Sequence, residues 1–470
     1  ARALGIPNVV VSSPPYEVLK KNNKKKVLFV VTPGGRVYLK RAADMTSEDK
    51  AILKEYTRSQ KRTGDGKVSG SKARLHIDPS VLDLKTWRPI SLDNLRRADS
   101  GIKTGPKAAY LGELKHMFPD HVARGVAVPF GAYYQFYKSA KVMVPNELAG
   151  KNIARPGQSI DDFAKQTYAT FFDKMIPAGT SDTELATWIK PRLHVLRFSI
   201  EHNKLSPELK TAIRDDLQKL GLLKKDDPTQ TVGLFVRSDT NVEDQPSFNG
   251  AGLNLTIFNL GSLDDIYKGL KKVWASPFTF RSFSWRQTMI DEPLWVLPSV
   301  VLLETIPSEA SGVLITADIN TGDQTKMLLG TSEGVGGAVD GTPTETLLWS
   351  PDGVQLITTF KSPWRQLIVP GHGTKIVPST GREYVLSPEE VKAITQAGRK
   401  ISKTLKPSLD KNGKPMAWDI EYGFANGKLW LFQVRPFIGN EDFSNIPALA
   451  GLDKEITKNT SNISLDDRIR

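Results

Sequence analysis

The segment AWDIEYGFANGKLWLFQVRPF, residues 417–437, carries the side chains best suited to chemistry. Asn426-Gly427 marks a tight turn between two largely apolar runs. Asp419 and Glu421 stand on the first arm, Gln433 and Arg435 on the second. Residues i and i+2 of a strand share a face, so each pair projects together. With a two-residue loop alone, Ala425 pairs with Lys428 and Glu421 with Phe432, and Gln433 faces away from Glu421. One extra residue, from a three-residue loop or a bulge, pairs Glu421 with Gln433 and Asp419 with Arg435. Two carboxylates, an amide oxygen and a guanidinium then form one patch. Such a patch suits Mg²⁺ bound to phosphates, with hard oxygens for the cation and a planar fork for the phosphoryl group. The competing reading is a solvated sheet face with a surface ion pair of little energetic weight.

Two further stretches could handle phosphate. In GLFVRSDTNVEDQPSFNGAGLNLT, residues 233–256, a buried strand delivers Arg237 to its end, and a polar loop with Gly250 and Gly252 follows. Small residues let backbone N–H groups approach phosphate oxygens. The segment lacks both the Walker and the dinucleotide fingerprints, so a plain connection is the alternative. In TGPKAAYLGELKHMFPDHVARGVAVPFGAY, residues 104–133, Lys107 follows a Gly-Pro turn that opens a helix. There a cation and helix N-terminal amides could hold an anion together, or Lys107 could simply be an exposed first-turn residue. Six His at 76, 116, 121, 194, 202 and 372 show neither zinc nor Ser-His-Asp spacing.

These residues need elements to position them. At 470 residues the chain exceeds one ordinary core, so two or three domains are expected. Helical patterns such as SIDDFAKQTYATFFDKMI, LSPELKTAIRDDLQKLG and SLDDIYKGLKKVWAS alternate with strands VGLFVRS, PSVVLLETI, GVLITADI and KLWLFQVRP. The class is α/β or α+β. KKVLFVVTPGGRVYLKR, residues 25–41, reads as a hairpin around Pro33-Gly34-Gly35. A net charge of +13 suits polyanionic partners, but apart from KKNNKKK at 20–26, which reads as a solvated turn, the basic residues are dispersed and no nucleic-acid motif accompanies them. The absence of Cys removes disulfides, thiolate nucleophiles and cysteine-ligated metals. The longest apolar runs are too short to span a bilayer.

Taken together, the three segments resemble the ATP-grasp nucleotide-binding domain shared by pyruvate phosphate dikinase, phosphoenolpyruvate synthase and glucan water dikinases. That family has a Gly-Gly-Lys helix start, a VRS…ED strand-loop and a closing D-I-E…Q-x-R-P hairpin, and counterparts of all three stand here in family order over roughly residues 100–440. The resemblance implies ATP and Mg²⁺ as ligands. It makes Lys107 and Arg237 the triphosphate-binding pair, with Arg435 on the phosphates and Gly252 and Thr256 over them. Glu304 matches the strand that binds adenine, although Leu303 stands where the family often has Gln. Glu421 and Gln433 would hold Mg²⁺, with Asp419 beside them. Pro106 replaces the second Gly before the Lys, and Gly337 in GVGGAV stands where Glu is common.

ARALGIPNVVV resembles the back half of the family's swivelling phosphohistidine domain, but the carrier His of that domain falls before Ala1. The expected organisation is a partial swivelling domain at 1–42, a linker at 43–85, the ATP-grasp domain at 86–440 and an extension at 441–470. The implied function is the ATP-handling part of a cytoplasmic dikinase. Such an enzyme splits ATP to AMP and phosphate through a phosphohistidine on an upstream segment of the same polypeptide. NVED followed by GAGL, with VAVPFGAY, is nearest the glucan water dikinase branch and makes a glucan the first acceptor to consider. The alternatives are a non-catalytic nucleotide-binding module, a pyruvate-type dikinase fragment and an ATP-grasp ligase.

Overall fold

The structure is a computed structural model that describes residues 20–22, 25–31, 37–61, 75–243, 255–319, 321–336, 343–359, 362–369, 373–410 and 412–438. The chain divides into a small unit (residues 1–73, 319–322 and 438–470) and a large one (74–318 and 323–437). In the small unit β1 (Val27–Val31) pairs antiparallel with β2 (Val37–Arg41), as the hairpin pattern implies. The turn itself and ARALGIPNVVV lie outside the described residues. The stretch read as a linker differs from expectation, since it holds helix α1 (Ser47–Lys61). A reciprocal cap starts that helix: Thr46 N–H donates to Asp49 Oδ2 at 2.8 Å, and Asp49 N–H to Thr46 Oγ1 at 3.3 Å. Residues 75–85 belong to the large unit, where Leu75 N–H donates to the Met289 carbonyl and Ile77 is buried with Ile290 and Val296.

The large unit is mixed α+β. Its strands are β3 (Ile90–Ser91), β4 (Gly125–Val128), β5 (Gln230–Thr240), β6 (Thr256–Ser262), β7 (Pro298–Glu304), β8 (Ala310–Ile315), β9 (Met327–Glu333), β10 (Glu345–Ser350), β11 (Gly353–Thr358), β12 (Trp364–Ile368), β13 (Thr374–Pro378), β14 (Trp418–Ala425) and β15 (Lys428–Pro436). They form one antiparallel sheet in the order β3-β4-β7-β5-β6 and another in the order β11-β10-β9-β8-β14-β15, with β12-β13 as a separate pair. The helices are α2 (Pro106–Met117), α3 (Phe130–Ser139), α4 (Ile160–Ala169), α5 (Asp182–His202), α6 (Pro207–Lys219), α7 (Leu263–Ala275), α8 (Phe280–Met289) and α9 (Pro388–Thr404). Serines recognisable in the sequence start several of them, with Ser181 and Ser387 closing full capping boxes on Glu184 and Glu390.

The apolar run of β7 shows how the sheets are joined. Val300 and Leu302 enter a core with α7 residues Leu270 and Trp274, while Val301 and Leu303 enter a second core on the opposite face. Burial of each such side chain contributes about 2 kcal/mol. The second core also contains Leu111 of α2, Ile394 of α9, and Ile420 and Tyr422 of β14, so both sheets share it. Among the described residues no helix is long and apolar enough to cross a membrane.

Candidate functional site

The hairpin resolves its own register question. Asn426 and Gly427 have φ of 52° and 70°, the pair of left-handed residues that a type I′ turn requires. Ala425 therefore pairs with Lys428, as in a plain two-residue loop. The register then shifts: Tyr422 pairs with Leu431, but Glu421 pairs with Gln433 and Asp419 with Arg435. Phe432 is the extra residue of a β-bulge. The bulge reverses the side-chain alternation. Leu429, Leu431 and Val434 all reach the core, and Gln433 and Arg435 turn to the face of Asp419 and Glu421.

Strand alternation also brings Arg237 there. Val236 enters the first core, so Arg237 emerges on the opposite face, opposite Val301, which lies in the core both sheets share. From β5 it spans to the other sheet. Its Nη1 donates to the Phe432 carbonyl at 3.0 Å, and its Nη2 to Gln433 Oε1 at 2.9 Å and Glu421 Oε2 at 3.3 Å. The carbonyl it takes belongs to the bulged residue. Thr256 is the cross-strand partner of Arg237 on β6. Arg435 Nε donates to Asp419 Oδ2 at 2.9 Å on the same hairpin face. The structure thus brings together Arg237, Thr256, Asp419, Glu421, Gln433 and Arg435.

Lys107 opens α2 as expected, with Pro106 at the first helical position, but an internal group takes the helix N-terminus. Asp239, fully buried, accepts from Lys107 N–H at 2.8 Å and Ala108 N–H at 3.1 Å, and from Ser299 Oγ at 2.9 Å. The amides that could hold a ligand anion are spent on this carboxylate. Gly105 is required by that approach, because a Cβ there would lie 2.3 Å from Asp239 Oδ1 and 2.6 Å from the Thr240 carbonyl. Lys107 Nζ donates to the Ser238 carbonyl at 3.0 Å and pairs with buried Glu243. Burial raises Asp239 to about 7; the charge of Glu243 adds to this, while Lys107 and the two amides oppose it. Sequence reasoning missed Asp239 as a helix cap and Glu243 as the partner of Lys107. A capping residue more than a hundred positions downstream leaves no local spacing to read.

The remaining site expectations fall elsewhere. Glu304 ends β7, where Arg124 grips it with Nε at 2.9 Å and Nη2 at 2.6 Å. Its backbone N–H donates to the Arg124 carbonyl. Glu304 pairs with Leu234 and Arg237 with Val301, so the two stand three residues apart along the strands, roughly 10 Å. Gly250, Gly252 and Gly337 lie outside the described residues, as does His372. The five described histidines lie with other groups: His76 near Asp291, His116 with Arg96, His121 on the Leu429 carbonyl, His194 near Glu147 and His202 stacked on Phe198.

The hairpin donors fit a hard divalent cation. All are oxygens, and Asp419 Oδ1 is buried with no hydrogen-bond partner among the described residues. Burial pushes the Asp419 carboxyl up, Arg435 draws it down, and the negative charge of Glu421 pushes it up again. A cation beside the pair would relieve that last repulsion. Among the described residues no group of three or more His, Asp or Glu gathers at metal-binding distances.

The family described as "Pyruvate phosphate dikinase, AMP/ATP-binding domain" matches residues 103–447. A "Probable phosphoenolpyruvate synthase" of Pyrococcus horikoshii is 27% identical over 73% of this chain and 42% of its own length. The "Phosphoenolpyruvate synthase" of Pyrococcus furiosus is 25% identical over 71% of this chain and 41% of its own. A "Rifampicin phosphotransferase" of a Streptomyces species is 25% identical over 71% and 34%. The chain spans about two fifths of the length of the two synthases. The match takes in Lys107, Arg237 and the hairpin alike, and the chain belongs to the pyruvate phosphate dikinase AMP/ATP-binding domain family.

Proposed function

We propose that this chain is the ATP-handling part of a dikinase-type phosphotransferase, built as an ATP-grasp domain whose two sheets hold the nucleotide between them. The observation that carries the reading is the bulge at Phe432, which turns Asp419, Glu421, Gln433 and Arg435 to the face that Arg237 reaches. Glu421 and Gln433 hold Mg²⁺, with Asp419 beside them; the bound ion supplies charge neutralisation at the phosphate oxygens. Arg237 and Arg435 grip phosphates with planar forks. Lys107 exchanges Glu243 for the triphosphate, Gly252 and Thr256 cover it, and the strand end at Glu304 receives the adenine. Catalysis is by positioning and charge neutralisation: a histidine nitrogen on a phosphohistidine segment outside residues 86–440 takes the β-phosphoryl group as the α–β bond breaks and AMP leaves, and water takes the γ-phosphoryl group as inorganic phosphate. A glucan acceptor rests on the sequence resemblance alone; the matched relatives are named for other acceptors or products.

The test is thermal unfolding with ATP, with and without Mg²⁺. Binding to the folded state alone stabilises by about 2.7 kcal/mol at a hundredfold excess over Kd. Mg·ATP should raise the melting temperature, and ATP without the metal should raise it less. No shift at millimolar Mg·ATP would leave a module that has lost its nucleotide.

A further inference from the structure

Away from the hairpin, a cavity of about 370 Å³ opens between the loop at residues 152–158 and helices α4 and α5. Two guanidiniums, Arg155 and Arg192, line it together with the amides of Gln158 and Gln166, and no Asp or Glu does. Arg192 is fixed in place. Its guanidinium lies 3.7 Å over the Trp188 ring, and Nη1 donates to the Trp188 carbonyl at 2.8 Å. Half-burial draws the Arg192 pKa below the usual value, with no carboxylate opposing the shift. A desolvated cation without a counter-ion is costly, and an anion in the cavity offsets that cost. Among the described residues the side chains of Arg155, Gln158 and Gln166 have no hydrogen-bond partner.

The walls are built rather than loose. Gly157 N–H donates to the Val142 carbonyl at 2.9 Å and Val142 N–H to the Gln158 carbonyl at 2.8 Å, anchoring the loop on both sides of the peptide between them. Thr170, also in the lining, begins a π-helical segment, Thr170–Met175, that continues α4. Such segments recur at functional sites because the extra residue re-aims side chains. None of these residues belongs to the nucleotide reading above.

We infer that this cavity binds a small phosphate ester of a polyhydroxylated compound, with the phosphate between Arg155 and Arg192 and the hydroxyls on Gln158 and Gln166. Guanidinium forks match phosphate oxygens, and amides serve hydroxyls as both donor and acceptor. Isothermal titration with glucose 6-phosphate tests it, with glucose and inorganic phosphate as separate arms. Glucose 6-phosphate should bind one to one and not be displaced by Mg·ATP, while each half alone binds at least about tenfold more weakly. Arg155→Ala and Arg192→Lys should each weaken binding about tenfold or more. Arg155 is exposed, so its variant folds even where Arg192→Lys disturbs the Trp188 contact. Absence of binding at millimolar ester, displacement by Mg·ATP, equal affinity for phosphate alone or glucose alone, or indifference to Arg155→Ala would overturn the proposal.

Discussion

Removal of the Arg237 guanidinium should separate nucleotide binding from metal binding, because that side chain joins the polar faces of the two sheets. Three of its five N–H donors are used within the protein, on the Phe432 carbonyl, Gln433 and Glu421, which leaves two. Two charge-assisted bonds to phosphate, at about 1.5 kcal/mol each, make about 3 kcal/mol, or roughly a hundredfold in nucleotide affinity. Arg237→Ala should therefore weaken Mg·ATP binding by about that factor. It also leaves Glu421 without its cation. The side chains of that pair are 14% and 16% exposed, so the loss of folding stability should fall below the usual cost of breaking a buried pair, on the order of 2 kcal/mol. The patch then carries two carboxylates against Arg435 alone, and Mg²⁺ without nucleotide should bind more tightly. Opposite signs for the two ligands distinguish a lost phosphate clamp from a damaged fold. Arg237→Lys restores the charge but not the fork, so it should recover stability and metal affinity more fully than nucleotide affinity. Titration calorimetry with Mg·ATP and with Mg²⁺ alone reads all three chains. Unchanged Mg·ATP affinity in Arg237→Ala, or parallel loss of both ligands, would refute the reasoning.

Two other outcomes follow from the buried end of α2. The folded chain holds the Asp239 proton more tightly than the unfolded chain does, so the stability this gives is fully present below the ordinary carboxylate range and drains away as pH rises through about 7. Denaturant unfolding between pH 5 and 8 should show a decline of roughly 2–3 kcal/mol from this group, which Asp239→Asn removes; equal slopes in the two proteins would contradict it. Gly105→Ala should cost about 2 kcal/mol or more and weaken Mg·ATP binding, since its Cβ meets the carboxylate and a backbone carbonyl that cannot both retreat. A variant that melts with the wild type would show that Asp239 does not hold that position.

What could be read from the sequence follows from what each element needs locally. The apolar run PSVVLLE implies a strand buried on both faces, and β7 is one, because its alternate residues feed two cores. The hairpin was legible down to the need for one extra residue, though not to where it sits. A finer signal lies in KLWLFQVRP: apolar residues at 429 and 431 give way to apolar residues at 434 and 436, and that slip in parity places the bulge at Phe432. Helix α1 was hidden because its sequence is charged with few apolar positions, so only the Thr46–Asp49 cap betrays it. Asp239 was beyond reach for a different reason. Periodicity tells which face a side chain occupies, and it puts Ser238 and Thr240 opposite Arg237 and Asp239 with no further information. Which group meets that face depends on how α2 crosses the strand ends. That crossing is set by the core both sheets share, which takes in residues as far apart in the chain as Leu111 and Val301. Motif residues are therefore visible in sequence one element at a time. The groups that answer them, Glu243 for Lys107 and the bulge carbonyl for Arg237, exist as partners only once that shared core has formed.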